Sequence, residues 1–211
     1  IARRLVIETS GLQRQPVDVS NIVMSIKCGG SDTTSGMASN CVIGYVADKL
    51  VDLGATVIFG ETTEFIGGEH LLARRGVTKE VGDKILQIVD EMEARAKSLG
   101  CDMRKGQPTP GNIEGGLSSI EEKSLGAIMK SGSRPIQGVL GYTERVINQK
   151  GLWIKDTPGR EPEILTGMAV TGAQCMMFST GRGAPQGFPS MPVIKICGNP
   201  NTFERMEEDM D

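Results

Sequence analysis

The sequence predicts an α/β protein: a Rossmann-like three-layer domain with a mainly parallel sheet and helices on both faces. Short apolar runs alternate along the chain with longer segments of helical periodicity. The runs lack the alternation of half-solvated strands, as expected where both faces of a parallel sheet are covered. Glycine-rich groups follow the ends of these runs, on the edge where open α/β sheets bind ligands.

The strands are expected at Ile22–Ile26, Thr56–Phe59, Ile136–Leu140, Leu152–Ile154, Cys175–Phe178 and Pro192–Ile196. After the first, MASNCVIGYVADKLVDLG reads as a helix burying Val42, Val46, Leu50 and Leu53 and ending at Gly54. A second helix starts at Thr78 and stops at Gly100, with Val81, Ile85, Ile88, Val89, Met92, Ala96 and Leu99 on one face. In LSSIEEKSLGAIMKSG, Ser118 with Glu121 or Ser119 with Glu122 offers a capping box. Leu117, Ile120, Leu125 and Ile128 are the expected buried stripe of that helix. The polar stretch DMRKGQPTPGN marks a sub-boundary near residues 100–116, but one α/β domain over 1–211 is the simpler division.

Composition narrows the function. A net charge of −3 with 4% aromatics gives no case for nucleic acid or an acidic membrane surface. No apolar run reaches the roughly 18 residues that span a bilayer. The five cysteines include no CxxC and no zinc-type pairing with the single histidine, His70, which fits a reducing, cytoplasmic setting. Cys175 and Cys197, in apolar runs, read as core, while Arg145 and the terminal MEEDMD read as solvated surface. The chain begins at Ile1, not Met, and reads as a fragment. Glycine is the outlier: 28 in 211 residues, nearly twice the usual share of about 7%.

Four loops therefore carry the candidate chemistry. In KCGGSDTTSG, residues Gly29, Gly30, Ser31, Asp32, Thr33 and Thr34 suit a tight turn, a helix cap, or a cradle of backbone N–H groups for an anion. In GETTE, Glu61 and Glu64 would lie about 5–6 Å apart on a helical turn. They could hold one hard cation, divide into acid and base, or complement a helix dipole. Arg182 in STGRG suits bidentate capture of a carboxylate or sulfonate. Asn112, Glu114 and Lys123 are weaker candidates. Neither a Walker A motif nor GxGxxG is present, so nucleotide phosphate is not indicated.

Taken together, KCGGSDTTSG, GATVIFGETTE, PTPGNIEGGLSSIEEKSLGAI, DTPG, STGRG and the terminal EEDMD resemble the C-terminal part of the altronate/galactarate dehydratase family. KCGGSDTTSG, FGETTE, GNIEGGLSSIEEK and MPVIKICGNPNT are most similar to the large subunit of sulfolactate sulfo-lyase, whereas DTPG and STGRG look more like the sugar-acid dehydratases. The resemblance implies a metal-dependent lyase that dehydrates a sugar acid by proton abstraction beside a carboxylate. The alternatives are a carbon–sulfur lyase acting on sulfolactate and a non-catalytic anion-binding module. It further implies a divalent metal, iron or manganese, with Glu61 and Glu64 as ligands or base, and Asp32 orienting its loop. Gly29, Gly30, Ser31, Thr33, Thr34, Asn112, Lys123 and Arg182 would bind the small anionic substrate. The implied partners are the remainder of the enzyme or a small subunit on the N-terminal side, or a further copy of the chain, and the fragment alone is expected to be inactive.

Overall fold

The computed structural model describes residues 1–211. Its strands are β1 (Val23–Gly29), β2 (Thr56–Phe59), β3 (Ile136–Leu140), β4 (Gly151–Lys155), β5 (Cys175–Thr180) and β6 (Val193–Cys197). They form one sheet in the order β3-β4-β2-β1-β5-β6, and every neighbouring pair is parallel. Each predicted run is a strand. The strand β1 runs on to Gly29, so Lys27 and Cys28, read as loop, belong to the sheet.

The helices are α1 (Ala2–Ser10), α2 (Asn40–Asp52), α3 (Glu69–Ala73), α4 (Lys79–Ser98), α5 (Met103–Gly106), α6 (Pro110–Glu114), α7 (Ile120–Ile128), α8 (Glu161–Thr171) and α9 (Pro200–Arg205). None is long and apolar enough to cross a membrane. Two apolar cores flank the sheet. Val57 and Phe59 of β2 face a core with Ile43 and Ala47 of α2, Ile85 and Val89 of α4, and Ile128 of α7. Ile58, between them, faces Ile164, Leu165 and Met168 of α8. Burial on both sides explains why the strand runs are apolar without alternation.

Helix starts follow the expected chemistry. The Thr78 hydroxyl accepts from Val81 N at the start of α4. At α7 the Ser119 hydroxyl accepts from Glu122 N, while the Glu122 carboxylate accepts from Ser118 N, one residue before the cap. The stretch 100–116 forms α5 and α6 and returns to the loop after β1, where Asn112 Nδ2 donates to Ser31 O at 2.8 Å.

The buried faces of α2 and α7 differ from expectation. Val42 and Leu53 are exposed, Val46 and Leu50 only half-buried, and the core face is Ile43 and Ala47 with Asn40 and Gly44. Leu125 of α7 is likewise exposed, while Ser124 is buried. Close contacts between backbones decide this. Asn40 Nδ2 donates to Gly126 O at 2.8 Å, and a Cβ on Gly36 would lie 3.2 Å from Gly126 Cα. Small and polar residues therefore face inward and leave larger apolar ones outside. In α4, Ile85, Ile88 and Val89 are buried as expected, but Leu99 past its end is exposed. Cys175 and Cys197 are only half-buried, and the buried cysteine is Cys28. The terminal segment is not all solvated either: Met210 is buried, and Asp211 pairs backbone and side chain with Lys195.

A Cβ at Gly44 would collide with the carbonyl of Met129, a backbone atom that cannot move alone. Gly44→Ala is expected to lower stability by about 1–3 kcal/mol, read as a thermal midpoint lower by roughly 2–4 °C per kcal/mol. An unchanged midpoint would show that the contact between α2 and the turn after α7 is not tight.

Candidate functional site

From β1 the chain moves to β2 on one side of the sheet, and later returns to β5 on the other side of β1. The C-terminal ends of β1 and β5 are therefore the topological switch point, where open α/β sheets form a crevice. Gly29 is in register with Thr180 there. The loops that follow interlock: Arg182 N donates to Gly30 O at 2.9 Å, and Thr33 N donates to Gly115 O at 3.0 Å. A cleft of about 450 Å³ opens between them, lined by Asp32, Glu114, Arg182, Asn199 and Arg205 among others.

Asp32 is buried at the base of this cleft. Its carboxylate accepts from Thr34 Oγ1 at 2.7 Å, Ser35 N at 2.8 Å and Asn199 Nδ2 at 3.2 Å. These contacts tie it to the π-helical turn Ser35–Ser39 that leads into α2. Glycines make the fit possible, since a Cβ at Gly115 would lie 2.7 Å from Asp32 Cβ and one at Gly181 would meet its carboxylate. The Arg182 guanidinium lies against Gly111, where any Cβ would strike Nη1. Its Nη2 stands 3.4 Å from Glu114, and the side chain is exposed to the cleft.

Beside the cleft, under the loops after β1 and β2, lies a buried ionic cluster. The Glu61 carboxylate is 1% exposed and faces Lys130 Nζ at 2.7 Å and Lys27 Nζ at 3.4 Å, both lysines being fully buried. It also accepts from Cys28 N at 2.9 Å. Glu61 has left-handed backbone angles, φ 71° and ψ 60°, a conformation that costs a non-glycine residue of order 1 kcal/mol or more. The loop is held by its neighbours: Glu61 N donates to Thr157 Oγ1 at 2.8 Å and Thr62 N to Thr157 O at 2.9 Å. Burial pushes the Cys28 thiol up to about 11, helped by the Glu61 charge. Burial opposes the charge on Lys130, yet Cys28 and Glu61 outweigh it, and the Lys130 pKa is raised. Farther along the same edge Lys155 is held by the carbonyls of Gly141 and Glu144, and burial lowers its pKa to about 8.

Glu64 has a different partner, Lys123 Nζ at 3.4 Å, and its Oε2 is buried without a hydrogen bond. Lys123 also donates to Gln107 Oε1 at 2.8 Å. These carboxylates do not fit a divalent cation in this arrangement. A cation at Glu61 would meet two ammonium groups, and nowhere do three His, Cys, Asp or Glu side chains converge as a metal site. Like charges this close repel by several kcal/mol at an effective dielectric of about 20.

The structure thus places Asp32 and Arg182 in the lining of the cleft, with Ser31, Thr33, Thr34 and Asn112 in the interlocked loops around it, and Glu61, Glu64 and Lys123 at the neighbouring cluster. Gly29 and Gly30 lie between the two. Sequence reading missed Lys27, Lys130, Glu161, Asn199 and Arg205. The one signal for Lys27 was a lysine closing the apolar run IVMSI; Lys130, in IMKSG, looked like an ordinary basic residue at a helix end.

Residues 19–211 match the family model for D-galactarate/altronate dehydratase, C-terminal. The chain is 44% identical to (2R)-sulfolactate sulfo-lyase subunit beta of Chromohalobacter salexigens, covering 100% of this chain and 54% of that one. It is 37% identical to galactarate dehydratase (L-threo-forming) of Escherichia coli, over 100% of this chain and 40% of the relative. With altronate dehydratase of Bacillus subtilis the identity is 34%, over 92% and 38%. The chain thus spans about half, or less, of the length of these relatives.

The cluster has an alkaline signature. A thiol raised from 9.0 to about 11 keeps its proton in the fold while the unfolded chain loses it, so stability falls across that interval. The raised Lys130 acts in the same sense: its stabilisation is complete below its ordinary 10.5 and disappears as the pH climbs through the higher folded value. Lys155, lowered to about 8, contributes in the opposite sense as the pH rises to 10.5, so the signature is read as a difference: relative to Cys28→Ala, the thermal midpoint should fall between pH 9 and 11. A gap between the two proteins that does not change from pH 9 to 11 would contradict the buried arrangement.

Proposed function

The chain belongs to the D-galactarate/altronate dehydratase family, and on that footing we propose that it forms part of a lyase eliminating water from a sugar acid such as altronate or galactarate. The observation that carries this reading is the cleft at the switch point. Interlocked glycine loops there present Arg182 and Arg205 beside a buried, fully hydrogen-bonded Asp32.

Elimination from a 2-hydroxy acid removes a weakly acidic proton next to a carboxylate and expels a group from the adjacent carbon. Negative charge then grows on the carboxylate oxygens, so fixed donors aimed at them lower the barrier. Arg182 and the loop Gly29, Gly30, Ser31, Thr33 and Thr34 are assigned to the substrate carboxylate. Asn112 and Asp32 hold that loop in place. Glu64 is assigned as proton acceptor, because its Oε2 has no hydrogen bond and stands 3.4 Å from the Lys123 ammonium. Glu61, engaged by two ammonium groups and a backbone N–H, supports the site instead of exchanging protons. A divalent metal, iron or manganese, would supply Lewis-acid stabilisation when bound. Its ligands are assigned to parts of the enzyme beyond these residues, and no step here depends on it. The remainder of the polypeptide, a small subunit or a further copy would complete the site. Leu5, Val6 and Ile7 of α1 are exposed apolar residues available for such a contact.

A second reading has its own support in the 44% identity to a sulfolactate sulfo-lyase subunit. The same proton abstraction would then expel sulfite instead of water. Incubating the full-length enzyme with altronate, galactarate and (2R)-sulfolactate, and assaying both 2-keto acid and sulfite, separates the readings. Anion binding without turnover of any of the three would leave the non-catalytic module.

In the full-length enzyme, Arg182→Lys is expected to raise KM about tenfold with a smaller change in kcat, since one charge-assisted hydrogen bond contributes about 1.5–3 kcal/mol. An unchanged KM would remove Arg182 from the substrate site. Glu64→Gln should instead reduce kcat by at least about a hundredfold with folding intact; near-normal turnover would reject it as the base.

A further inference from the structure

We propose that the Lys27 ammonium is a second subsite for a small oxyanion, and that the Glu161 carboxylate occupies it as a built-in competitor until substrate arrives. The proposal rests on the lyase reading only for the identity of the anion, a carboxylate or sulfonate group.

Charge counting in the cluster motivates it. Lys27 and Lys130 are fully buried, and Glu61 is the one carboxylate buried with them. Glu64 is matched by Lys123. Lys130 approaches Glu61 more closely, at 2.7 Å against 3.4 Å for Lys27. The buried groups thus carry one uncompensated positive charge, an unfavourable state for a protein interior. The missing counter-charge comes from Glu161, whose Oε1 lies 3.3 Å from Lys27 Nζ and whose side chain is 36% exposed.

The geometry makes Glu161 replaceable. Lys27 has three other partners: the Cys28 carbonyl at 2.8 Å, Glu61, and the Phe178 ring with its centroid 4.1 Å away. All three belong to the sheet or the loop after β2 and cannot leave without disrupting the core. Glu161 reaches in from the first turn of α8 and meets Lys27 through a single oxygen. Gly29 keeps the meeting point open: a Cβ there would lie 2.7 Å from Glu161 Oε1 and 2.9 Å from Lys27 Nζ. A substrate oxyanion entering over Gly29 can take the carboxylate's position, while Glu161 swings into water and is rehydrated. The incoming oxyanion supplies the counter-charge that Glu161 withdraws, so Lys27 is not left unpaired by the exchange.

The test uses the full-length enzyme with sulfate and tartrate as probes, the first standing for a sulfonate and the second for a hydroxy acid. Arg182→Ala is introduced throughout so that the neighbouring cleft does not dominate binding. Glu161→Gln should lower the thermal midpoint without anion. Sulfate or tartrate should then restore it, with binding roughly fivefold or more tighter than in the protein retaining Glu161. Preference for one probe identifies the anion class. Equal affinity with and without Glu161, or a stability loss that neither anion restores, would overturn the proposal. So would tightened binding that persists when Lys27→Met is added to Glu161→Gln. Should that double variant fail to fold, the anion affinities of Glu161→Gln and of the protein retaining Glu161 still decide between these outcomes. None of these readouts requires turnover, so the lyase reading can fail while this subsite stands.

Discussion

The Glu61 carboxylate, fixed between two buried lysines, locks three separate segments together at the C-terminal edge of the sheet. It joins β1 through Lys27 and Cys28, the loop after β2 through its own backbone, and the turn after α7 through Lys130. Breaking such a buried set by removing one partner costs about 3–5 kcal/mol, because the charge left behind has no water to solvate it. That explains why a glutamate occupies a left-handed position better suited to glycine. The backbone strain is smaller than the penalty of leaving two ammonium groups without a carboxylate.

Glycine has the complementary role. At Gly111, Gly115 and Gly181 a methyl group would strike Arg182 or Asp32 directly. Much of the unusual glycine content thus sits where loops cross at the C-terminal edge, letting polar side chains touch the backbone of neighbouring loops. The same principle operates between α7 and the turn that leads into α2, where Gly36 and Gly126 face each other and larger apolar residues are left at the surface.

The strands were legible because both their faces are buried, which forces uninterrupted apolar runs such as TVIF. The helices were legible as helices but not in their orientation. Counting large apolar residues pointed to Val42 and Leu125, whereas contact at the backbone selected Ile43, Gly44, Asn40 and Ser124. For the site, Asp32 and Arg182 could be read from glycine-flanked loops after strands. Lys27 could not, because a lysine ending an apolar run looks like an ordinary charged strand terminus. Its burial depends on Glu61 and Glu161, which lie 34 and 134 residues away along the chain.

Periodicity, turn chemistry and motif order are local properties, and they were enough to establish the parallel sheet, the edge where the loops gather and the family to which the chain belongs. Which charges meet is a matter of three dimensions. Glu61 and Glu64 look equivalent in GETTE, yet a left-handed residue turns one into the lysine cluster and leaves the other beside Lys123, its Oε2 without a hydrogen bond. An ion pair is settled by distance and desolvation, and neither is a property of neighbouring letters in a chain.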